Sequence, residues 1–227
     1  MISAVVFIPA APLMCPDIDV EALLADERAA SIELVAELQQ NAEQIIVIGS
    51  GESTTWFEQG GIGNTRAFGG VSHYVIGSGR DEMPQALTVG ACVVSAAGWA
   101  GAVKALVVDT ETTAEQRGVL AKELIAKSDD LRTLIVAVGD GSATRTEKAP
   151  GYIQPDALDF DAAVVHAIEN GDSAAIVAIE QSTADRLWCR GLPTWQVVAQ
   201  AIGHAEGTLV LESSPFGVNY LVAAWRV

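Results

Sequence analysis

The sequence predicts an α/β fold: one three-layer domain built on a central, mostly parallel sheet. Strand-like and helix-like patterns alternate along most of the chain, the arrangement that α/β proteins require. Apolar runs such as Leu134-Ile135-Val136-Ala137-Val138 also stop abruptly at Gly-rich polar loops. The carboxyl end of such a strand is where open α/β sheets place their ligand sites.

Taken in order, residues 2–8 form a first strand that meets Pro9. Val20, Leu23, Leu24, Ser31, Leu34, Val35 and Leu38 then recur at helical spacing and predict an amphipathic helix to about Gln40. A second strand covers 44–48. The stretch 49–79 is rich in Gly and poor in helix signal, so it reads as a long functional or partly extended loop with one short strand at 72–76. Residues 83–99 form a buried helix and 104–108 a strand. Thr113-Ala114-Glu115-Gln116 is a capping box that opens a helix to about Lys127. The strand at 131–138 follows.

A helical section spans about 156–203. Phe160, Ala163, Val164, Ala167 and Ile168 share one stripe, and 173–179, 183–188 and 193–202 follow with short Gly or Pro breaks. Two strands at 208–211 and 218–225, separated by Pro215 and Gly217, close the chain. No repeat, linker or low-complexity segment divides it, so 1–227 reads as a single domain.

Composition excludes several classes of partner. The net charge is −16, and the 13 Lys and Arg are scattered singly, without the basic cluster that nucleic acid or an anionic membrane demands. Mean hydropathy is +0.30, yet no apolar run reaches the roughly 18 to 20 residues of a membrane span. The amino terminus has no basic residue ahead of its apolar run, so a secretory signal is not expected and the location is cytoplasmic. Cys15, Cys92 and Cys189 match neither a disulfide framework nor a zinc site. They read as buried thiols, with Cys15 placed near the expected site.

The segment Gly139-Asp140-Gly141-Ser142-Ala143-Thr144-Arg145, continuing through Pro150-Gly151-Tyr152 to Phe160-Asp161, resembles a motif of the class III extradiol (LigB-like) ring-cleavage dioxygenases and their Memo-like relatives. That motif reads Gly-Asp-x-Ser-His-Arg, then Pro-x-Gly-Tyr and Phe-Asp. Ile8-Pro9-Ala10-Ala11-Pro12-Leu13 resembles the family's first iron-ligand segment, and Gly49-Ser50-Gly51-Glu52-Ser53 stands where a second His ligand is found. Glu212, just upstream of the closing strand, stands where the third ligand would descend from. The resemblance implies the family's fold, together with loss of its chemistry: Ala10 and Ala143 replace histidines, and none lies in 49–53. Iron held by two His and one carboxylate is therefore not expected, nor is any other cofactor. His166 falls off its apolar stripe and His204 follows a helix end, both structural positions; His73 alone cannot supply a triad. The resemblance also implies a homodimer.

The remaining candidates are polar. Asp140 and Ser142 are the candidate catalytic groups. Arg145, Lys148 and Tyr152 of the same loop, with Ser50, Glu52 and Glu212, are the candidate ligand contacts: Arg or Lys binds a carboxylate or phenolate and Asp140 acts as base. The alternative is that Asp140 and Ser142 merely cap their own loop. Gly49-Ser50-Gly51-Glu52-Ser53-Thr54 invites a phosphate-loop reading but lacks the Gly-Lys-Ser/Thr ending. The expected function is binding of a small anionic or aromatic molecule in the former active-site cleft, around which Ala10, Gly51, Ser142, Ala143 and Glu212 converge. One alternative is a diverged enzyme with a hard divalent cation on Asp140, Ser142, Glu52 and Glu212. Another is an interaction protein with a filled cleft.

Overall fold

The computed structural model describes residues 1–227. Strand β1 (Ile2–Ile8) is buried almost throughout, because its residues pack alternately on two layers: Val5 and Phe7 join one core, Ala4, Val6 and Ile8 the other. Helix α1 (Ala25–Leu38) starts later than its apolar spacing implies. The Asp19 carboxylate accepts hydrogen bonds from the N–H groups of Leu23 (2.7 Å) and Leu24 (3.0 Å) and from Arg28 Nη1 (3.0 Å). The chain before Ala25 is thereby held in a turn with Ala22 at φ 58°, leaving Val20 and Leu23 exposed.

Strand β2 (Gln44–Gly51) leads into the stretch that reads as a long loop. It holds three short strands, β3 (Thr55–Phe57), β4 (Gly60–Asn64) and β5 (His73–Gly77), the last close to the short strand expected at 72–76, and β6 (Glu82–Met83) follows it. β3 extends the main sheet, while β5, β4 and β6 make a separate three-stranded sheet against helix α2 (Gln85–Ala96). Glycine carries almost no strand signal, so the sequence pattern hides β4. Close packing explains the residue choice: a Cβ at Gly63 would lie 2.8 Å from Thr88 Cα of α2. Asp17 secures the β4–β5 connection by accepting from Thr65 Oγ1 (2.7 Å), Ser72 N (2.9 Å) and Val71 N (3.0 Å). Its slight desolvation is outweighed by these bonds, which hold its pKa at about 2.

Strand β7 (Ala102–Asp109) is followed by helix α3 (Ala114–Ser128), whose expected capping box is present: Gln116 N donates to Thr113 Oγ1 and Thr113 N to Gln116 Oε1. Strand β8 (Thr133–Val138) precedes the helices α4 (Ala157–Glu169), α5 (Ser173–Ala178), α6 (Gln181–Arg186) and α7 (Leu192–Ile202), then β9 (Glu206–Ser213) and β10 (Tyr220–Arg226). The main sheet has the order β3-β7-β2-β8-β1-β10-β9. Its pairings β7-β2, β2-β8 and β8-β1 are parallel, and the three outer ones are antiparallel. Helices α1 and α2 cover one face, and α3, α4 and α7 the other. The fold is thus mixed α/β with a mostly parallel centre. No helix is long and apolar enough to cross a membrane.

Trp225 pins the closing strand to the helical layer. Its buried ring meets Phe7 edge-on at 5.0 Å between centroids, and its Nε1 donates to Ile168 O (2.6 Å) at the end of α4. Trp225→Ala should cost about 3 to 5 kcal/mol, read as a lower urea midpoint at unchanged slope. A loss under about 1 kcal/mol would show that this contact does not hold the layers together.

Candidate functional site

Parallel strands β1, β2, β7 and β8 end at the same edge of the sheet, and the loops that leave them enclose a cleft of about 900 Å³. Ala10 enters it from β1, Ser50 and Glu52 from β2, Thr110 from β7, and Asp140 from β8. Phe57 and Phe68, half-buried, supply its aromatic wall. The segment between β2 and α2 is therefore one side of the site, anchored through Asp17.

The floor is set by an unusually close approach. Gly191 N donates to Asp140 O (3.0 Å), and a Cβ at Gly139 would lie 2.5 Å from Gly191 Cα and 3.1 Å from Trp195 Nε1. Only glycine at 139 lets the end of β8 touch the start of α7. Ser50 Oγ and Thr194 Oγ1 share a hydrogen bond of 2.8 Å, which ties β2 to the same first turn.

Asp140 is the electrostatic anomaly of the cleft. The residue keeps some exposure, but its carboxyl is recessed, and desolvation pushes its pKa up to about 7. The one bond that opposes this comes from Ala10 N to Asp140 Oδ1 (2.7 Å). No basic side chain pairs with it. Tyr220 and Cys189 feel its charge, which together with burial raises both of their pKa values. A carboxyl poised near neutrality in a cleft is the usual property of a proton-exchanging group.

The rest of the motif loop lies elsewhere. Ser142 is fully buried; its N–H and Oγ donate to Asp161 Oδ1 (2.8 Å) and Oδ2 (2.5 Å). Arg145 Nε reaches the same Oδ2 (2.6 Å), and its Nη2 reaches Glu212 Oε1 (2.9 Å), which also accepts from Asn219 Nδ2 (2.7 Å). Backbone bonds from Asn219 N to Ser142 O (2.8 Å) and from Arg145 N to Gly217 O (3.0 Å) complete the tie to the turn before β10. Ser142, Arg145 and Glu212 therefore form a clasp behind the cleft, where none of them lines it. Ala143 is at the same edge of the sheet but packs with Ala11, Leu24, Val218 and Tyr220. Of the five positions expected to converge on the cleft, Ala10 and Gly51 do so.

Lys148 is exposed and Tyr152, at φ 58°, is turned to solvent, both outside the cleft. Cys15 is not at the site: it is buried beside Cys92, whose hydrogen bond to it, with burial, drives its pKa far up. His73, His166 and His204 are all exposed and away from the cleft. No group of three or more His, Cys, Asp or Glu side chains comes together, and the cation set of the alternative reading is divided, with Asp140 and Glu52 in the cleft and Ser142 and Glu212 behind it. Sequence reasoning missed two residues. Asp161 appeared only as a letter of a motif, and Arg190, the one basic residue that lines the cleft, lies in a helical region without any motif.

Two outcomes follow from this geometry. Folded Asp140 keeps its proton up to about pH 7, whereas the unfolded carboxyl releases it near 3.8, so the native state loses stability as pH rises through that interval. Asp140→Asn removes that dependence and keeps an acceptor for Ala10 N. The Tm advantage of the variant over the parent should grow from pH 5 to about pH 7 and level off by pH 8; a constant difference would show that Asp140 does not titrate there. Arg145→Ala strands the buried Asp161 carboxylate and should cost about 3 to 5 kcal/mol in denaturant unfolding. Lys148→Ala should stay within about 0.5 kcal/mol of the parent.

The whole chain is similar in structure to a protein described as uncharacterized protein JW3007 from Escherichia coli K12. The match covers 98% of this chain and 99% of that chain with a TM-score of 0.55 and 12% sequence identity, a likeness of fold. No protein-family model matches the chain, and no curated protein matches it in sequence.

Proposed function

We propose that this chain is a diverged member of the class III extradiol dioxygenase fold that binds a small aromatic or anionic molecule in its strand-end cleft, with Asp140 as the proton-exchanging group. The observation that carries the reading is the position of Asp140: a carboxyl with a pKa near 7, in an open cleft, beside Ala10 and Gly51. Ala10 and Gly51 are the positions where the family resemblance puts iron-binding histidines, and both line this one cleft. An open cleft with an aromatic wall favours a ligand over the interaction-protein reading, which needs the space filled.

Iron does not fit the donors present. Ala10, Gly51 and Ala143 offer no ligand atom, and Glu212 is engaged by Arg145 and Asn219 behind the cleft. What the chain itself supplies is a pocket, a hydroxyl at Ser50 and a titrating carboxyl. Protonated, Asp140 donates a hydrogen bond to a ligand oxygen; ionised, it accepts a proton from a phenol or an acidic C–H.

Calorimetric titration with catechol tests the site. Ala10→Phe, which fills the cleft, should abolish a binding heat that the parent protein gives. Binding that survives this substitution would put the ligand elsewhere. Catechol with Fe²⁺ under air should give no yellow ring-opened product, and turnover by the parent protein would overturn the account of its lost metal site.

A further inference from the structure

We propose that Arg190 selects the ligand: its guanidinium takes the carboxylate of a small aromatic monocarboxylic acid whose ring lies along Phe57 and Phe68. This deepens the cleft-binding reading above and rests on it. Arg190 is the single cation among the residues that line the cleft, and it makes no ion pair or hydrogen bond within the chain. That is notable where 29 acidic residues surround 13 basic ones and Arg28, Arg132, Arg145, Arg186 and Arg226 are each paired with one of them.

The backbone that carries Arg190 is held firmly. On one side Gly191 N and Cys189 Sγ both donate to Asp140 O (3.0 and 3.6 Å), so Arg190 is anchored to the same residue that forms the cleft floor. On the other side Trp188 is forced to φ 57°, an outlier conformation for a bulky residue, and its indole lies against Gly151 of the motif loop. The Arg190 guanidinium sits 6.0 Å from the centroid of that indole, a cation–π arrangement that orients its planar fork while leaving its N–H donors free. Although its backbone is anchored to Asp140, Arg190 does not pair with the Asp140 carboxyl, and both line the cleft.

Charge sets the ligand class. Glu52 and Glu82 share the lining with Arg190, so the cleft has one place for a negative charge and two carboxylates that repel a second, joined by Asp140 once it ionises. A monocarboxylate matches this balance and a phosphate ester, with its additional charge, does not. The planar carboxylate also matches the bidentate geometry of a guanidinium.

The test is calorimetric titration of the intact protein with benzoate, its neutral isostere benzamide, and phenyl phosphate. The proteins compared are the parent, Arg190→Gln, Arg190→Lys and, as a control on an exposed cation outside the cleft, Lys148→Gln. Benzoate should bind the parent about 10 to 100 times more tightly than benzamide, the advantage expected of a charged hydrogen-bonded pair. Arg190→Gln should abolish that preference while leaving benzamide affinity unchanged; Arg190→Lys should restore part of it, and Lys148→Gln should keep it whole. Phenyl phosphate should bind less tightly than benzoate. A benzoate preference that survives Arg190→Gln, or a phosphate ester that outcompetes benzoate, overturns the assignment of Arg190 and leaves the cleft reading standing. If neither benzoate nor benzamide binds the parent protein while catechol does, the Arg190 inference falls and the cleft reading stands; if catechol fails to bind as well, both fall.

Discussion

Parallel strands cannot be joined by tight turns, so each must be followed by a crossover that packs on one face of the sheet before the next strand begins. Four such strands, β7, β2, β8 and β1, stand side by side at the centre of this protein, and their crossovers cover both faces. Every loop that leaves a strand's carboxyl end therefore emerges along one edge. The cleft exists because of that geometry: Ala10, Ser50, Thr110 and Asp140 are far apart in the chain and share nothing but their place one or two residues from a strand end. The connection leaving β2 packs through α2 on one face and the connection leaving β8 packs through α4 and α7 on the other, so the crevice opens between these two neighbouring strands.

Two carboxylates of one segment show how environment divides roles. Asp161 is fully buried and satisfied, with a backbone N–H, a hydroxyl and a guanidinium upon it, and its work is to hold the motif loop against the final strand. Asp140 is recessed with one backbone bond and no cation, so its charge is expensive. The clasp behind the cleft makes the exposed arrangement in front of it possible: with Ser142, Arg145 and Glu212 locked together, Gly139 and Asp140 are held against α7 as a rigid floor. Residues that look chemical in sequence can thus be structural, while the neighbouring carboxyl is left unpaired.

At Ala10 and Gly51 the lining carries a methyl group or no side chain, so the cleft is apolar at those points. The polar groups that line it include Ser50, Glu52, Glu82, Asp140 and Arg190.

The sequence by itself determined the layering and most element positions, because burial on a 3.6-residue or continuous pattern is written directly in residue type. β2, α2, β7, β8 and the helical run before β9 all stand close to their expected bounds, and the capping box at Thr113 is realised as drawn. It also marked the loop after β8 as special and Asp140 within it. Tertiary structure alone decided the rest. The glycine strand β4 forms because α2 lies within reach of Gly63, a contact no local pattern encodes. Arg145 and Glu212 pair across 67 residues, so neither motif shows that the other consumes its charge. Arg190 enters the cleft only because Gly139 and Gly191, 52 positions apart in the chain, let two backbones touch. Local propensity is a property of neighbours in sequence; a site is made by neighbours in space, and charge balance is settled among them.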